Sequence, residues 1–128
     1  MNQKTKTVLV VEDSPSLRLF YKQTLKSAGA VVLSFEGAET ALEYLQNCKT
    51  LPDLILLDLI MPDMTGEEFL FYIRADAMLK DIDVVVCSGK EDLEAHAQNI
   101  GADGVLKKPV SAHKLVQLLY RHGLAARK

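Results

Sequence analysis

The stretch LILLDLIMPDMTG, residues 54–66, decides the fold of this chain. Four consecutive apolar residues precede Asp58, and a continuous apolar run of this length is typical of a parallel strand buried on both faces. More hydrophobic residues follow Asp58 directly, which a solvated loop would not require. The stretch therefore predicts a central strand that ends in a carboxylate.

Similar apolar runs recur on both sides of this stretch. With the run at 54–57 there are five, the others covering residues 8–11, 31–35, 84–87 and 104–106. Segments with the period of a helix separate them. Five alternations of strand and helix predict an α/β fold with a parallel sheet and right-handed crossovers.

Local motifs predict where the helices begin. Ser14 can cap the first helix, and Pro15 suits its first position. Thr65 and Glu68 have the spacing of a capping box for the third helix. We assign the aromatic residues to the core; on the third helix the predicted inward residues are Phe69, Tyr72 and Ile73.

Length and composition limit the classes of function. A chain of 128 residues fits one domain, 1–128, with an ordered core expected at about residues 6–124. The net charge of −2 gives no basic field for nucleic acid, so direct nucleic-acid binding is not expected. No apolar run approaches the ~20 residues that a membrane helix needs. The two cysteines match no metal-binding spacing, and we expect a cytoplasmic protein without membrane attachment.

Charged and hydroxyl side chains that can take part in catalysis or ligand binding lie at the ends of the predicted strands. Glu12 and Asp13 close the first, Asp58 the third, Ser88 the fourth and Lys108 the last. Each has an ordinary explanation alone, such as a helix cap or a solvated strand end. The carboxyl ends of parallel strands meet at one edge of a sheet, where ligands of such folds bind. Clustered carboxylates there call for a hard divalent cation, and the lysine suits an anion. The combination predicts a site for a phosphoryl group.

The ordered set of motifs, VLVVED at 8–13, LILLDLIMPDMTG at 54–66, CSG at 87–89 and GADGVLKKP at 101–109, closely resembles the receiver domains of two-component response regulators. The resemblance covers essentially the whole chain. It implies a flavodoxin-like, doubly wound sheet of five parallel strands in the order 2-1-3-4-5, with five helices around it.

The resemblance also implies a metal site for Mg2+. Asp13 and Asp58 are its expected direct carboxylate ligands, and Glu12 is expected to contribute through water. The backbone carbonyl of Ile60 is the remaining expected protein ligand.

The same resemblance implies the roles of three further positions. Asp58 is the expected phosphoacceptor, and Ser88 occupies the position of the family's switch hydroxyl. Lys108 matches the lysine that pairs with the phosphoryl group, and its bond to Pro109 is expected to be cis. Receivers usually carry Tyr or Phe three residues before this lysine, where this chain has Val105. Valine has no ring to rotate, so we do not expect an aromatic side chain at this position to transmit phosphorylation to the surface.

Two further positions bear on the lifetime of the phosphoryl group. By resemblance, Ile60 and Lys90 flank the approach of the hydrolytic water. Ile60 cannot orient a water molecule, and Lys90 can pair with phosphoryl oxygens. We therefore expect slow autodephosphorylation.

The leading hypothesis is a signalling module that takes a phosphoryl group from a histidine kinase or histidine phosphotransfer protein and switches the binding of an unknown downstream protein. It is not expected to be a metabolic enzyme. It can be a freestanding regulator, a relay intermediate or a receiver separated from an output domain, and a homodimer is allowed.

Two alternatives remain. A pseudo-receiver would bind partners without phosphorylation. A phosphatase of the haloacid dehalogenase type also uses an aspartate nucleophile and Mg2+, but it needs a second acid where this chain has Ile60.

Overall fold

The computed structural model describes residues 6–123, which form one parallel sheet between two layers of helices. The strands are β1 (Thr7–Val11), β2 (Val31–Phe35), β3 (Leu54–Asp58), β4 (Asp83–Ser88) and β5 (Gly104–Lys107). The helices are α1 (Pro15–Ser27), α2 (Ala38–Asn47), α3 (Gly66–Ala75), α4 (Leu93–Ile100) and α5 (Ala112–Arg121). The predicted alternation of strand and helix is confirmed. Residue 124, the predicted end of the ordered core, lies outside the described residues.

The sheet order is β2-β1-β3-β4-β5, with all four strand pairs parallel. This is the predicted flavodoxin-like, doubly wound arrangement. The order reverses after β1, because β2 lies on one side of it and β3 on the other. The crevice between β1 and β3 is therefore the switch point at which ligands of such sheets bind.

Each face of the sheet supports its own hydrophobic core. Leu9, Ile55 and Val84 point towards the helices α2, α3 and α4, where Phe69 is fully buried. The alternate strand residues pack against α1 and α5 on the other face. Burying a side chain such as Phe69 contributes roughly 1.5–3 kcal/mol. Because β3 is buried on both faces, its position and that of Asp58 are tightly fixed.

The predicted helix starts are confirmed. The Ser14 hydroxyl accepts a hydrogen bond from the Leu17 N–H at 3.3 Å, and Pro15 opens α1. At α3, the Glu68 N–H donates to Thr65 Oγ1 at 3.1 Å and the Thr65 N–H donates to Glu68 Oε1 at 3.0 Å. This reciprocal pair satisfies two of the free N–H groups of a helix start.

The assignment of all aromatic residues to the core is wrong at three positions. Phe71, Tyr72 and Tyr120 are 67%, 50% and 48% exposed. On α3 the inward face is formed by Phe69, Leu70 and Ile73. Since successive helical residues are about 100° apart, the two aromatics between Leu70 and Ile73 are turned towards solvent.

Arg74, at the end of α3, joins several loops at the edge of the sheet opposite Asp58. Its guanidinium donates to the carbonyl oxygens of Lys80 and Ile82, each at 2.8 Å, and to that of Gly101 at 3.0 Å. It also pairs with the Asp103 carboxylate at 2.7 Å. These bonds fix the chain where it enters β4 and β5.

Within residues 6–123, no helix has both the length and the apolar character that a membrane span requires.

Candidate functional site

Three carboxylates meet at the carboxyl edge of the sheet, above β1 and β3. Glu12, Asp13 and Asp58 each offer an oxygen within 4.8 Å of the other two. Glu12 and Asp58 are buried, with 1% and 6% exposure, while Asp13 faces solvent. The structure therefore brings together the three acidic residues predicted to meet. The cluster is open on the side of Asp13.

Lys108 closes the other side of the cluster. Its ammonium nitrogen lies 3.2 Å from Glu12 Oε1 and 3.3 Å from Asp58 Oδ1. Burial alone would lower the pKa of Lys108, but the Asp58 and Glu12 carboxylates outweigh it and hold the pKa above its usual value. The lysine is therefore a cation next to both acids at neutral pH. Its peptide bond to Pro109 is cis, as predicted.

The cluster holds more negative charge than one lysine neutralises. Burial raises the pKa of Glu12, and the nearby Asp58 carboxylate adds to this rise. The Ser14 N–H and Lys108 act in the opposite direction without cancelling it. A divalent cation with oxygen ligands would relieve the repulsion, so the donor set fits Mg2+.

Ile60, the predicted carbonyl ligand, lies two residues beyond Asp58. Its backbone N–H donates to Asp58 Oδ1 at 3.3 Å, which ties the start of the loop to the acid. The Ile60 side chain is 76% exposed and belongs to the rim of the site. An apolar side chain at this rim cannot bind or orient water.

Ser88 ends β4 next to the cluster and is buried. Its hydroxyl oxygen accepts a hydrogen bond from the Lys90 N–H at 3.1 Å, and its carbonyl accepts from the Lys108 N–H at 2.9 Å. A cleft of about 450 Å³ separates residues 88–90 from residues 59–61. The hydroxyl is thus at the base of a loop with free space beside it.

Val105 lies on β5 opposite Val86 of β4. It is half-buried against the core beneath α4. The position expected to carry an aromatic ring is therefore filled by a short aliphatic side chain with little freedom.

Two contacts around the site were not predicted from the sequence. Arg18 donates to the carbonyl oxygens of Glu12 and Asp13 at 2.9 and 3.3 Å and so holds the acidic turn. Glu67 Oε2 lies 2.6 Å from His96 Nε2 and joins the start of α3 to α4. Arg18 is one helical turn beyond Ser14, and this spacing could have indicated its contact with the acidic turn. Glu67 and His96 are far apart in sequence, and no sequence pattern predicts their contact.

A third unpredicted residue is Asp63, in the loop between β3 and α3. Its carboxylate accepts hydrogen bonds from the N–H groups of Ala38, Glu39 and Met64. It stands in the same loop as Ile60 and connects that loop to the start of α2.

Comparison with known proteins agrees with this geometry. The family model of the response regulator receiver domain matches residues 8–120. The chain is 33% identical over 116 residues to the phosphate regulon transcriptional regulatory protein PhoB of Pseudomonas aeruginosa, covering 89% of this chain and 50% of that protein. It is 34% identical over 122 residues to the nitrate/nitrite response regulator protein NarL of Escherichia coli, covering 94% of this chain and 56% of that protein.

The chain spans about half the length of these two relatives. It matches 11% of the sensor histidine kinase TmoS of Ectopseudomonas mendocina, at 36% identity over 110 residues that make up 84% of this chain. Among solved structures, the chemotaxis response regulator CheY4 of Vibrio cholerae superimposes with a TM-score of 0.85 at 30% identity, covering 93% of this chain and 99% of that one.

Proposed function

The chain belongs to the response regulator receiver domain family, and we propose that it accepts a phosphoryl group on Asp58 within a two-component or phosphorelay system. The observation that carries this proposal is the placement of Asp58 between an acidic pair and a lysine. A carboxylate nucleophile, a cation-binding cluster and a fixed ammonium are the parts that phosphoryl transfer needs.

In the proposed reaction, a carboxylate oxygen of Asp58 attacks the phosphorus of a phosphohistidine. The phosphorus–nitrogen bond breaks, the histidine leaves, and an aspartyl phosphate remains. Lys108, 3.3 Å from Asp58 Oδ1, would stabilise the negative charge that develops on the phosphoryl oxygens. The reaction modifies the domain itself, so this is a signalling domain rather than a metabolic enzyme.

Glu12, Asp13, Asp58 and the Ile60 carbonyl would hold Mg2+. When bound, Mg2+ supplies charge neutralisation between the nucleophile and the incoming phosphoryl group. Asp13, the most exposed of the three acids, would be a direct ligand, and Glu12 would act through water. The buried Glu12 is already engaged by Lys108 and by the Ser14 N–H at 3.1 Å.

Phosphorylation adds roughly −1.5 to −2 charges beside Ser88. The Ser88 hydroxyl would donate to a phosphoryl oxygen and draw residues 88–90 towards the site. The cleft beside this loop provides the space for such a movement. Because Val105 offers no ring to rotate, the change would reach the surface through the loops after β3 and β4.

The proposed phosphodonor is a histidine kinase or a histidine phosphotransfer protein, and the proposed recipient of the signal is a downstream protein or an output domain. We further propose that residues 1–128 act as a single receiver domain in the cytoplasm.

The test is phosphorylation of the purified chain by acetyl phosphate in Mg2+, followed as acid-labile phosphate. We expect incorporation by the wild type and none by Asp58→Asn. Asp53→Asn, at the opposite edge of the sheet, is the matched control and should behave as the wild type. Labelling of Asp58→Asn at the wild-type rate would refute the assignment.

Two further measurements separate the alternatives. Mg2+-dependent binding of beryllofluoride by the wild type is expected of a receiver and would be absent from a pseudo-receiver. Multiple turnovers of phosphate monoesters would instead indicate a phosphatase. Mg2+ affinity should fall more in Asp13→Ala than in Glu12→Ala, and equal titrations of wild type and Asp13→Ala would contradict the metal assignment.

A further inference from the structure

Asp63 caps a helix to which it does not belong. One of its carboxylate oxygens lies 3.2 Å from the Ala38 N–H nitrogen, and the other lies 2.8 Å from that of Glu39. These are the first two residues of α2. The first N–H groups of a helix have no partner within it, so Asp63 satisfies two of them from another loop.

The start of α2 depends on this outside carboxylate. Its N-cap residue is Gly37, which has no side chain with which to cap the helix. A Cβ atom at Gly37 would lie 3.0 Å from Asp63 Oδ2, so glycine leaves the room that the carboxylate occupies. Burial alone would raise the pKa of Asp63, but the N–H groups of Glu39 and Ala38 hold it below its usual value. Asp63 is therefore ionised at neutral pH.

The loop that carries Asp63 is the one that carries Ile60. At its start, the Ile60 N–H donates to Asp58 Oδ1. At its end, the Gly66 N–H donates to the Leu59 carbonyl at 2.9 Å. A Cβ atom at Gly66 would lie 2.6 Å from the Leu59 Cα, so the two backbones are in close contact.

Between these two anchors, Met61 packs into the core and the Thr65 N–H donates to Glu68, while Asp63 ties the loop to α2. The Met64 N–H also donates to Asp63 Oδ1, at 3.0 Å, so the carboxylate shapes its own loop while it holds α2. The Ile60 carbonyl stands three residues before this third anchor. A metal ligand supplied by the backbone can be oriented only by the bonds that hold the backbone.

We propose that Asp63 is a positioning residue for the metal site, because it fixes the loop that presents the Ile60 carbonyl to Mg2+ by binding that loop to the N-terminus of α2. This inference rests on the proposed function. It assigns to α2, which contributes no side chain to the acidic cluster, the role of a fixed support for one metal ligand. Residues that orient metal ligands in this way typically change metal affinity by about 10–100-fold.

The test is Mg2+ binding by isothermal titration calorimetry of the full chain, for wild type, Asp63→Ala and a matched control, Asp53→Ala. Asp53 also accepts a backbone hydrogen bond, from the Thr7 N–H at 2.8 Å, but at the opposite edge of the sheet. We expect the Mg2+ dissociation constant to rise about 10-fold in Asp63→Ala and to stay at the wild-type value in Asp53→Ala.

Gly37→Ala provides a second route if Asp63→Ala folds poorly. The backbone of Gly37 is extended, so alanine is tolerated there. The added methyl group displaces the Asp63 carboxylate without removing it. We expect weaker Mg2+ binding here too. At saturating Mg2+, phosphorylation of both variants by acetyl phosphate should approach the wild-type rate, because Asp63 touches no reacting atom.

Unchanged Mg2+ affinity in Asp63→Ala and Gly37→Ala, with normal binding by the wild type, would overturn this inference alone. Equal losses in Asp63→Ala and Asp53→Ala would also overturn it, since they would indicate a general effect of stability. A wild-type protein that binds no Mg2+ would overturn the proposed function, and this inference with it.

Discussion

The Lys108 ammonium nitrogen lies 3.3 Å from Oδ1 of Asp58, the proposed acceptor of the phosphoryl group. The same nitrogen lies 3.2 Å from Glu12 Oε1. In this state Lys108 pairs with two of the acids that would bind Mg2+, and it lies where it would contact a phosphoryl oxygen. Lys108 therefore competes with Mg2+ for the carboxylates, whereas its contact with a phosphoryl oxygen would favour phosphorylation.

Replacing Lys108 with methionine should separate the two roles. Mg2+ affinity should stay equal or increase, because a competing cation is removed from Glu12 and Asp58. Phosphorylation by acetyl phosphate should slow by about 100-fold, the effect typical of losing one transition-state donor. Lys107→Met, at the exposed neighbouring position, is the control. If Lys108→Met is phosphorylated at the same rate as Lys107→Met, Lys108 takes no part in the mechanism.

The lifetime of the phosphoryl group should depend on Ile60. An exposed apolar side chain cannot hold a water molecule in line with the aspartyl phosphate, whereas an asparagine can. Phosphorylated wild type should therefore decay several-fold more slowly in Mg2+ than phosphorylated Ile60→Asn. Met78→Asn alters an equally exposed apolar residue, at 75% against 76%, away from the site and should leave the decay unchanged. Faster decay of the wild type than of Ile60→Asn would reverse the argument.

Tyr21 should limit the stability of the fold. Its side chain is buried in α1, and its hydroxyl has no hydrogen-bond partner among the described residues. An unpaired buried hydroxyl is unfavourable by about 1–3 kcal/mol. Tyr21→Phe should therefore raise the free energy of unfolding in urea by about 1 kcal/mol. Tyr72→Phe, at a half-exposed position, should change it by less than about 0.5 kcal/mol. A loss of stability in Tyr21→Phe would indicate that the hydroxyl is satisfied.

The contact between Glu67 and His96 should make stability depend on pH in the acid range. Burial alone would raise the pKa of Glu67, but the hydrogen bond with His96, a backbone N–H and the positive charges of His96 and Lys90 together outweigh burial and hold the pKa below the usual 4.5. A lowered pKa in the folded state means that the stabilisation is complete above pH 4.5 and is lost as the pH falls through the lower value.

Urea unfolding of wild type and Glu67→Gln at several pH values measures this contribution. The difference should be below about 1 kcal/mol near neutral pH, since both side chains are partly exposed, and it should shrink on acidification. Glu43→Gln, at an exposed position in the middle of α2, is the control. A difference that grows below pH 4.5 would contradict the assignment of the shift.

The sequence predicted the strand order and the positions of Glu12, Asp13, Asp58 and Lys108 because these depend on local patterns and on one resemblance. A continuous apolar run identifies a buried strand, and a residue that ends such a run lies at the carboxyl edge of the sheet. The metal and phosphoryl roles of these residues remain proposals.

Contacts between distant segments could not be predicted in the same way. Asp63 looks like an ordinary turn residue, and only the folded chain places it at the N-terminus of α2. The four hydrogen-bonding partners of Arg74 come from loops up to 29 residues away. The exposure of Phe71 and Tyr72 depends on which face of α3 packs against the sheet, and their hydrophobicity alone predicts that they are buried.

The strand order also has a consequence for the sequence in which the protein is synthesised. β1, β2 and β3 are synthesised first, and in the folded chain these neighbouring strands carry all three clustered acids at their carboxyl ends. Lys108, which forms ion pairs with two of them, follows the last strand. A nascent chain that stops before residue 108 would therefore hold its carboxylates without their cation. The ion pair can form only after all five strands have been synthesised, so the proposed phosphorylation would reach its full rate only in the complete domain.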